Sequence, residues 1–316
     1  MNYRTLFVAV LFVTLNACGG GGSDNGGITS PAPSVAITTN NSDQVAATAG
    51  SADSITTSAT SLVPLSVGQA SQTTLNLTDF ARRLLHLGSN YSLQALTVTQ
   101  ACPGGGSLTG PDPGSTSGTF TFTSCVGYQG NTSIDGSITF SLSGDASSNY
   151  AALITFNNLT ITSGANVVTI NVSMNISGNI TGTVETTTVS YSLFNVTYNS
   201  DYVNIYNYKS TITYNNASLD YSISWDYTFD SSLINGAVKV STETPIQGND
   251  NNLYPYTGSL VVTGANNSHV RVSTNNSTGL PTDLVMIEVD ADGDGIYESS
   301  KSVEWQNFDV GQVTLY

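Results

Sequence analysis

The chain has 316 residues and sets 22 acidic against 7 basic side chains, a formal net charge of −15, with only 9% of its residues charged. With so few cations, nucleic acid and anionic lipid faces are poor partners, since both reward Lys and Arg, and no nucleic-acid partner is expected. The length suits one large all-β domain, or two small ones, once terminal targeting segments are set aside.

The first five residues carry one cation, Arg4, and Leu6 to Val13 is an unbroken apolar run. It is far shorter than the roughly 20 residues that span a bilayer and matches the apolar centre of a secretory signal. Leu15-Asn16-Ala17-Cys18 closes the run and resembles the bacterial lipobox, although that motif usually has a smaller residue than Asn16. The resemblance implies a signal peptide over 1–17, acylation of the Cys18 thiol and cleavage before it. Membrane attachment would then run through N-terminal acyl chains, more than one being needed for a stable hold. Gly19 stands where an inner-membrane retention signal would place Asp, so the outer membrane is the implied address.

From Gly19 to Gly27 the chain is nearly all Gly, and from Ile28 to about Leu62 it is Ser, Thr, Ala and Asn with scattered Val. Such a tract buries too little apolar surface to offset its ordering entropy. Residues 18–65 are therefore expected to form the lipidated cysteine and a flexible stalk, and 66–316 a single β-rich domain. Within that domain Leu75 to Leu87 predicts the one helix, with Leu77, Phe80, Ala81, Leu84 and Leu85 on one face. Arg82 and Arg83 fall on its solvent side and His86 in its last turn.

Beyond the helix the period changes to two. Ile134, Ile138, Phe140 and Leu142 alternate with polar residues, as do Val168 to Ile176 and the run Leu219, Tyr221, Ile223, Trp225, Tyr227 and Phe229. Alternation of this kind predicts strands with one buried and one wet face, paired antiparallel. Turn clusters rich in Gly, Asn and Asp separate them. The expected fold is mainly β: a large antiparallel meander sheet or half-closed barrel with one short helix packed on it. Cys102 and Cys125, an even pair in an exported domain, are expected to form a disulfide.

Near the C-terminus, Asp290-Ala-Asp292-Gly-Asp294-Gly295-Ile296-Tyr-Glu298 places oxygen ligands at relative positions 1, 3, 5 and 9, with Gly295 at position 6. Three Asp, one Glu, the Ile296 carbonyl and water together satisfy a hard cation such as Ca²⁺. The loop is not an EF-hand, because Glu298 comes too early and the flanks, Leu284 to Val289 and Ser302 to Trp305, read as strands. It looks more like the acidic hairpin loops of calcium-bearing β-propeller repeats, present here in one copy. Asp-Gly pairs also favour a metal-free polar hairpin. Crowding of carboxylates within one turn favours a structural cation.

Tyr254-Pro255, Gly258-Ser-Leu, Gly264-Ala, the Asp290 loop and Trp305 follow one another in an order similar to the ends of a loosely defined group of uncharacterised bacterial outer-membrane lipoproteins. Their Gly-rich stalk and long β body also resemble this chain. The resemblance implies the architecture and no activity.

Catalytic signatures are sparse. The chain has two histidines, His86 and His269, no nucleophile elbow, and a glycine run at Gly104 to Gly106 that lacks the phosphate-loop lysine. Asp220, Asp226 and Asp230 lie on one strand face, where same-strand i, i+4 spacing means about 13 Å, too far for either glycosidase geometry. The sequence therefore points to a non-enzymatic binding or structural domain with a glycan or envelope-protein partner. The alternative is a periplasm-facing carrier of lipid or acyl chains, with the aromatic face at Tyr221, Trp225, Tyr227 and Phe229 left partly empty.

Overall fold

The computed structural model describes residues 28–50 and 98–308, apart from 112–114, 127–132, 146, 253 and 277. One 14-stranded sheet dominates it, and its strands lie in the order of the sequence. They are β1 (Val98–Ala101), β2 (Gly105–Gly110), β3 (Ser117–Val126), β4 (Ser133–Gly144), β5 (Asn149–Ser163), β6 (Asn166–Thr181) and β7 (Val184–Tyr198). The second half comprises β8 (Asp201–Asn215), β9 (Asp220–Ser231), β10 (Gly236–Asn249), β11 (Thr257–Thr263), β12 (His269–Asn275), β13 (Leu284–Asp290) and β14 (Ser299–Glu304). Each strand pairs antiparallel with the next. Among the described residues β1 and β14 do not pair with each other, so the sheet is an open meander.

The period-two segments form strands in the expected places, β4, β6 and β9. In each, the apolar series supplies the buried face, as with Ile134, Ile138, Phe140 and Leu142, and with Ile170, Val172, Met174 and Ile176. The central strands are long because two-residue turns return the chain at once. Gly182 (φ 63°) and Asn199 (φ 53°) supply the left-handed backbone that such turns need.

The alternation is not continuous. On β3, Phe122 and Cys125 are three residues apart and both buried, and the extra residue is accommodated by Ser124 at φ 45°. Phe156 and Leu159 on β5, around Asn158 at φ 46°, repeat the device, as do Tyr191 and Phe194 on β7. On β8, Ile205 and Tyr208 do the same around Asn207 at φ 52°. Each is a β-bulge that switches which parity faces inward and bends the strand. Asp135 accepts a hydrogen bond from the Ser124 backbone N at 2.6 Å, and Asn171 accepts one from Asn158 N at 2.7 Å, holding two of these kinks.

The helix expected at Leu75 to Leu87, with Arg82, Arg83 and His86, lies outside the described residues. The helix that packs on the sheet is α1 (Ser42–Gly50), inside the tract read from composition as flexible stalk. That reading does not describe residues 34–50. Ser34 N and Val35 N donate to the Ala237 carbonyl, Ala265 N donates to the Val35 carbonyl, and Ile37 N donates to Ser268 Oγ at 2.9 Å. Ile37 is fully buried, and Val45, Ala46 and Ala49 enter the same core as Leu260, Val262, Val270 and Val272. The physical reason is that alanine is small and the best helix former, so an Ala-rich helix with little apolar area still approaches a sheet closely enough to bury all of it. The Tyr227 hydroxyl donates to the Ala49 carbonyl at 2.8 Å, satisfying one of the orphan acceptors at the helix end. Asp43 forms an ion pair with Lys301 of β14, so α1 is fastened across the sheet from β9 to its last strand.

At the far end of the sheet a disulfide joins Cys102, just after β1, to Cys125 on β3, with Cα atoms 5.4 Å apart. Trp305, expected in the last strand, instead begins a four-residue helical turn, α2 (Trp305–Phe308), and stacks on Tyr254 with ring centroids 5.5 Å apart.

Candidate functional site

The acidic loop connects β13 to β14, and the hairpin brings Asp290, Asp292, Asp294 and Glu298 together. One carboxylate oxygen from each lies within 4.8 Å of the others. Asp290 ends β13 and is only 1% exposed. Its two oxygens accept from Gly293 N at 2.7 Å and Gly295 N at 2.9 Å. Asp292 accepts from Asp294 N at 3.2 Å, Asp294 from Ile296 N at 2.7 Å and Glu298 from Ala291 N at 2.9 Å. The carboxylates thus shape the loop before any ligand is considered. A carboxylate offers about four lone-pair sites, so each keeps acceptor capacity beyond these bonds.

Two glycines permit this path. Gly295 has φ 88°, as its place at position 6 requires, and Gly293 has φ 79°. Gly293 also lies against the 3-10 turn Ala265–Asn267, where a Cβ would stand 2.3 Å from the Asn266 carbonyl oxygen. That second role was not legible in the Asp-Gly spacing, because it depends on a turn some 25 residues upstream. Ile296 sits in the loop and is 67% exposed.

A supporting shell also escaped the sequence. Arg271 on β12 bonds Glu288 through Nε and NH2 at 2.7 Å each, lies 3.7 Å from Glu243, and covers the Tyr297 ring with its guanidinium 4.6 Å from the centroid. Burial works against the Arg271 charge, but the hydrogen bond and charge of Glu288 outweigh it and raise its pKa. Burial also pushes the Tyr297 phenol up, Arg271 opposes that, and Glu243 and Glu288 reinforce it. Tyr297 is therefore clamped to the sheet one residue before Glu298.

The remaining candidates are dispersed. Asp220 bonds Asn249, Asp226 pairs with Lys239 at 3.5 Å, and Asp230 accepts from Tyr202 and Asn204. These three carboxylates serve the outer face of the sheet and do not converge. Of the aromatic face suggested for a carrier, Tyr227 and Phe229 are buried at 2% and 0% exposure, with Tyr227 under α1, whereas Tyr221 and Trp225 are half-buried. The outer face presents paired neutral hydroxyls, among them Thr119 with Thr139, Thr155 with Ser173 and Thr160 with Thr169. Cys18 lies outside the described residues. No helix among the described residues is long and apolar enough to cross a membrane. No protein-family model, curated protein or solved structure matches this chain.

Proposed function

We propose that the chain is a lipid-anchored lipoprotein of the bacterial outer membrane, and that its β sheet is a non-enzymatic binding or structural domain steadied by one Ca²⁺. The observation that carries the anchor is the run Leu6 to Val13 ending in Leu15-Asn16-Ala17-Cys18. The neutral hydroxyl and amide groups of the outer face suit a glycan or another envelope protein, whose recognition needs hydrogen bonds without net charge. The cation reading rests on four carboxylates within 4.8 Å, with Asp290, Asp292, Asp294 and Glu298 as ligands and the Ile296 carbonyl as the expected fifth. The ion would lower their mutual repulsion and hold the β13–β14 hairpin as a clip.

Feeding cells radiolabelled palmitate tests the anchor. The expected result is label on the parent chain and none on Cys18→Ser; equal labelling of both overturns it. The clip is tested by thermal unfolding of the full chain in Ca²⁺ and in EDTA. A Tm raised by Ca²⁺ in the parent, and unmoved in a chain carrying both Asp294→Asn and Glu298→Gln, is expected. A parent Tm indifferent to EDTA removes the cation.

A further inference from the structure

On the outer face of the sheet, β5 interrupts the pattern of hydroxyls and amides. Ala151 and Leu153 are successive outward residues of that strand, and Leu153 is 43% exposed. The register sets Ala151 between Ser143 on β4 and Ser177 on β6, and Leu153 between Ser141 and Asn175. A depression of about 230 Å³ lies over these six residues. Its long walls are the polar side chains of β4 and β6, about 9.5 Å apart, which is two strand spacings. At its ends the next outward residues of β5 bond across to β6, Asn149 with Asn179 and Thr155 with Ser173 at 2.9 Å.

The polar groups of this trough differ from their neighbours. Around them Thr119 bonds Thr139 and Thr186 bonds Thr213, so outer hydroxyls satisfy one another. Ser141, Ser143, Asn175 and Ser177 form no side-chain hydrogen bond among the described residues. On the side of β5 they meet only a methyl group and a leucine. The backbone offers a ligand nothing there, because β4, β5 and β6 are each paired on both sides. A peptide would gain no strand-to-strand bonds, and recognition falls to side chains alone. These side chains are neutral: β5 and β6 contain no charged residue, and Asp135 of β4 is bonded to Ser124.

We propose that the trough binds one or two rings of a neutral sugar within a glycan. This rests on the glycan reading of the outer face and gives it a position. A pyranose ring has a face of C–H groups and a rim of hydroxyls that both donate and accept. The C–H face lies on Ala151 and Leu153. The rim bonds to Ser143 and Ser177 on opposite walls, and to Asn175, which offers donor and acceptor together. The volume is below the roughly 300 Å³ at which pockets for drug-sized ligands begin, which limits the site to a ring or two. A sugar acid is disfavoured, because its carboxylate would lose water with no cation on the three strands that form the trough. Lys209, two strands beyond Asn175 in the same row, faces Asp226.

The test applies the full chain to an array of neutral gluco-, galacto-, manno- and N-acetylglucosamine oligosaccharides, with uronic-acid oligosaccharides alongside. The best neutral ligand is then titrated by calorimetry. Ser143→Ala and Ser177→Ala are each expected to weaken it by up to about tenfold, the worth of one hydrogen bond. Ala151→Leu fills the floor and is expected to abolish binding. Leu153→Thr offers Asn175 a hydroxyl, as Thr155 does Ser173, and is expected to weaken it as well. Thr119→Ala, on the same face outside the trough, is expected to bind as the parent does. All these side chains are exposed, so the variants are expected to melt with the parent. Binding unchanged in both Ala151→Leu and Leu153→Thr overturns the trough and leaves the glycan reading standing, as does a preference for the uronic-acid set. A parent that binds no sugar overturns that reading and the trough with it.

Discussion

Single residues in this sheet are constrained by what faces them across the ladder. Gly178 pairs with Tyr150, and a Cβ at Gly178 would stand 2.1 Å from the tyrosine ring. The ring lies flat over the glycine and carries its hydroxyl to the buried Glu185 at 2.7 Å. Gly178→Ala is therefore expected to displace Tyr150 and cost about 1–3 kcal/mol in urea unfolding, as overpacking does. Tyr221 lies over Gly248 in the same way. Burial, with Asp250 nearby, pushes Tyr221 up to about 12, and burial together with the 2.8 Å bond to Asp250 pushes Tyr214 up to about 12 as well. In the unfolded chain both phenols ionise near 10. Between those values the unfolded state has lost protons that the folded state keeps, so stability falls as pH rises. The contribution is whole below about pH 10 and lost on the way to about 12. Urea midpoints measured across that window should drop in the parent and drop less in Asp250→Asn.

At the scale of elements, the segment 34–50 shows how composition misleads. Ser, Thr and Ala read as stalk, yet Ile37 and Ala49 are both fully buried. Local content could not show that a slot existed beside Ala237 and Ala265, since those residues come some 200 positions later. Tyr227→Phe keeps the packing and removes the bond to the Ala49 carbonyl. It is expected to cost about 1 kcal/mol and to speed protease cleavage within 34–50. Unchanged cleavage would mean that the helix is held by packing alone. The strands were more legible. On β9 every apolar residue from Tyr221 to Phe229 lies on one face because no bulge falls inside that run. On β5 the parity switches at Asn158, a residue that alternation reads as one more polar position.

For the whole molecule, the order of strands along the sheet makes nearly every contact a neighbour's contact. A disulfide lies at one end of the sheet and the acidic loop near the other. The Cys102–Cys125 bond closes a loop spanning 23 positions, and its reduction is expected to lower stability by roughly 3 kcal/mol in the chain-entropy model. Denaturant midpoints with and without reductant check it, and identical midpoints would show that the bond adds nothing.

What the sequence determined by itself was local and periodic. Alternation specified mainly β structure, turn residues at short intervals specified neighbouring antiparallel strands, and the cysteine count specified the pair. The Asp-x-Asp-x-Asp spacing already placed four carboxylates on one hairpin, because a loop of nine residues leaves them nowhere else to go. Tertiary structure alone decided where the bulges reverse a strand's facing, that Ala-rich residues near position 45 become a core helix, and that Arg271 reaches Tyr297. It also decided which polar side chains flank Ala151 and Leu153 across the sheet. These features join residues far apart in the chain, and a one-residue slip in register moves every side chain beyond it to the other face, so no local pattern contains them.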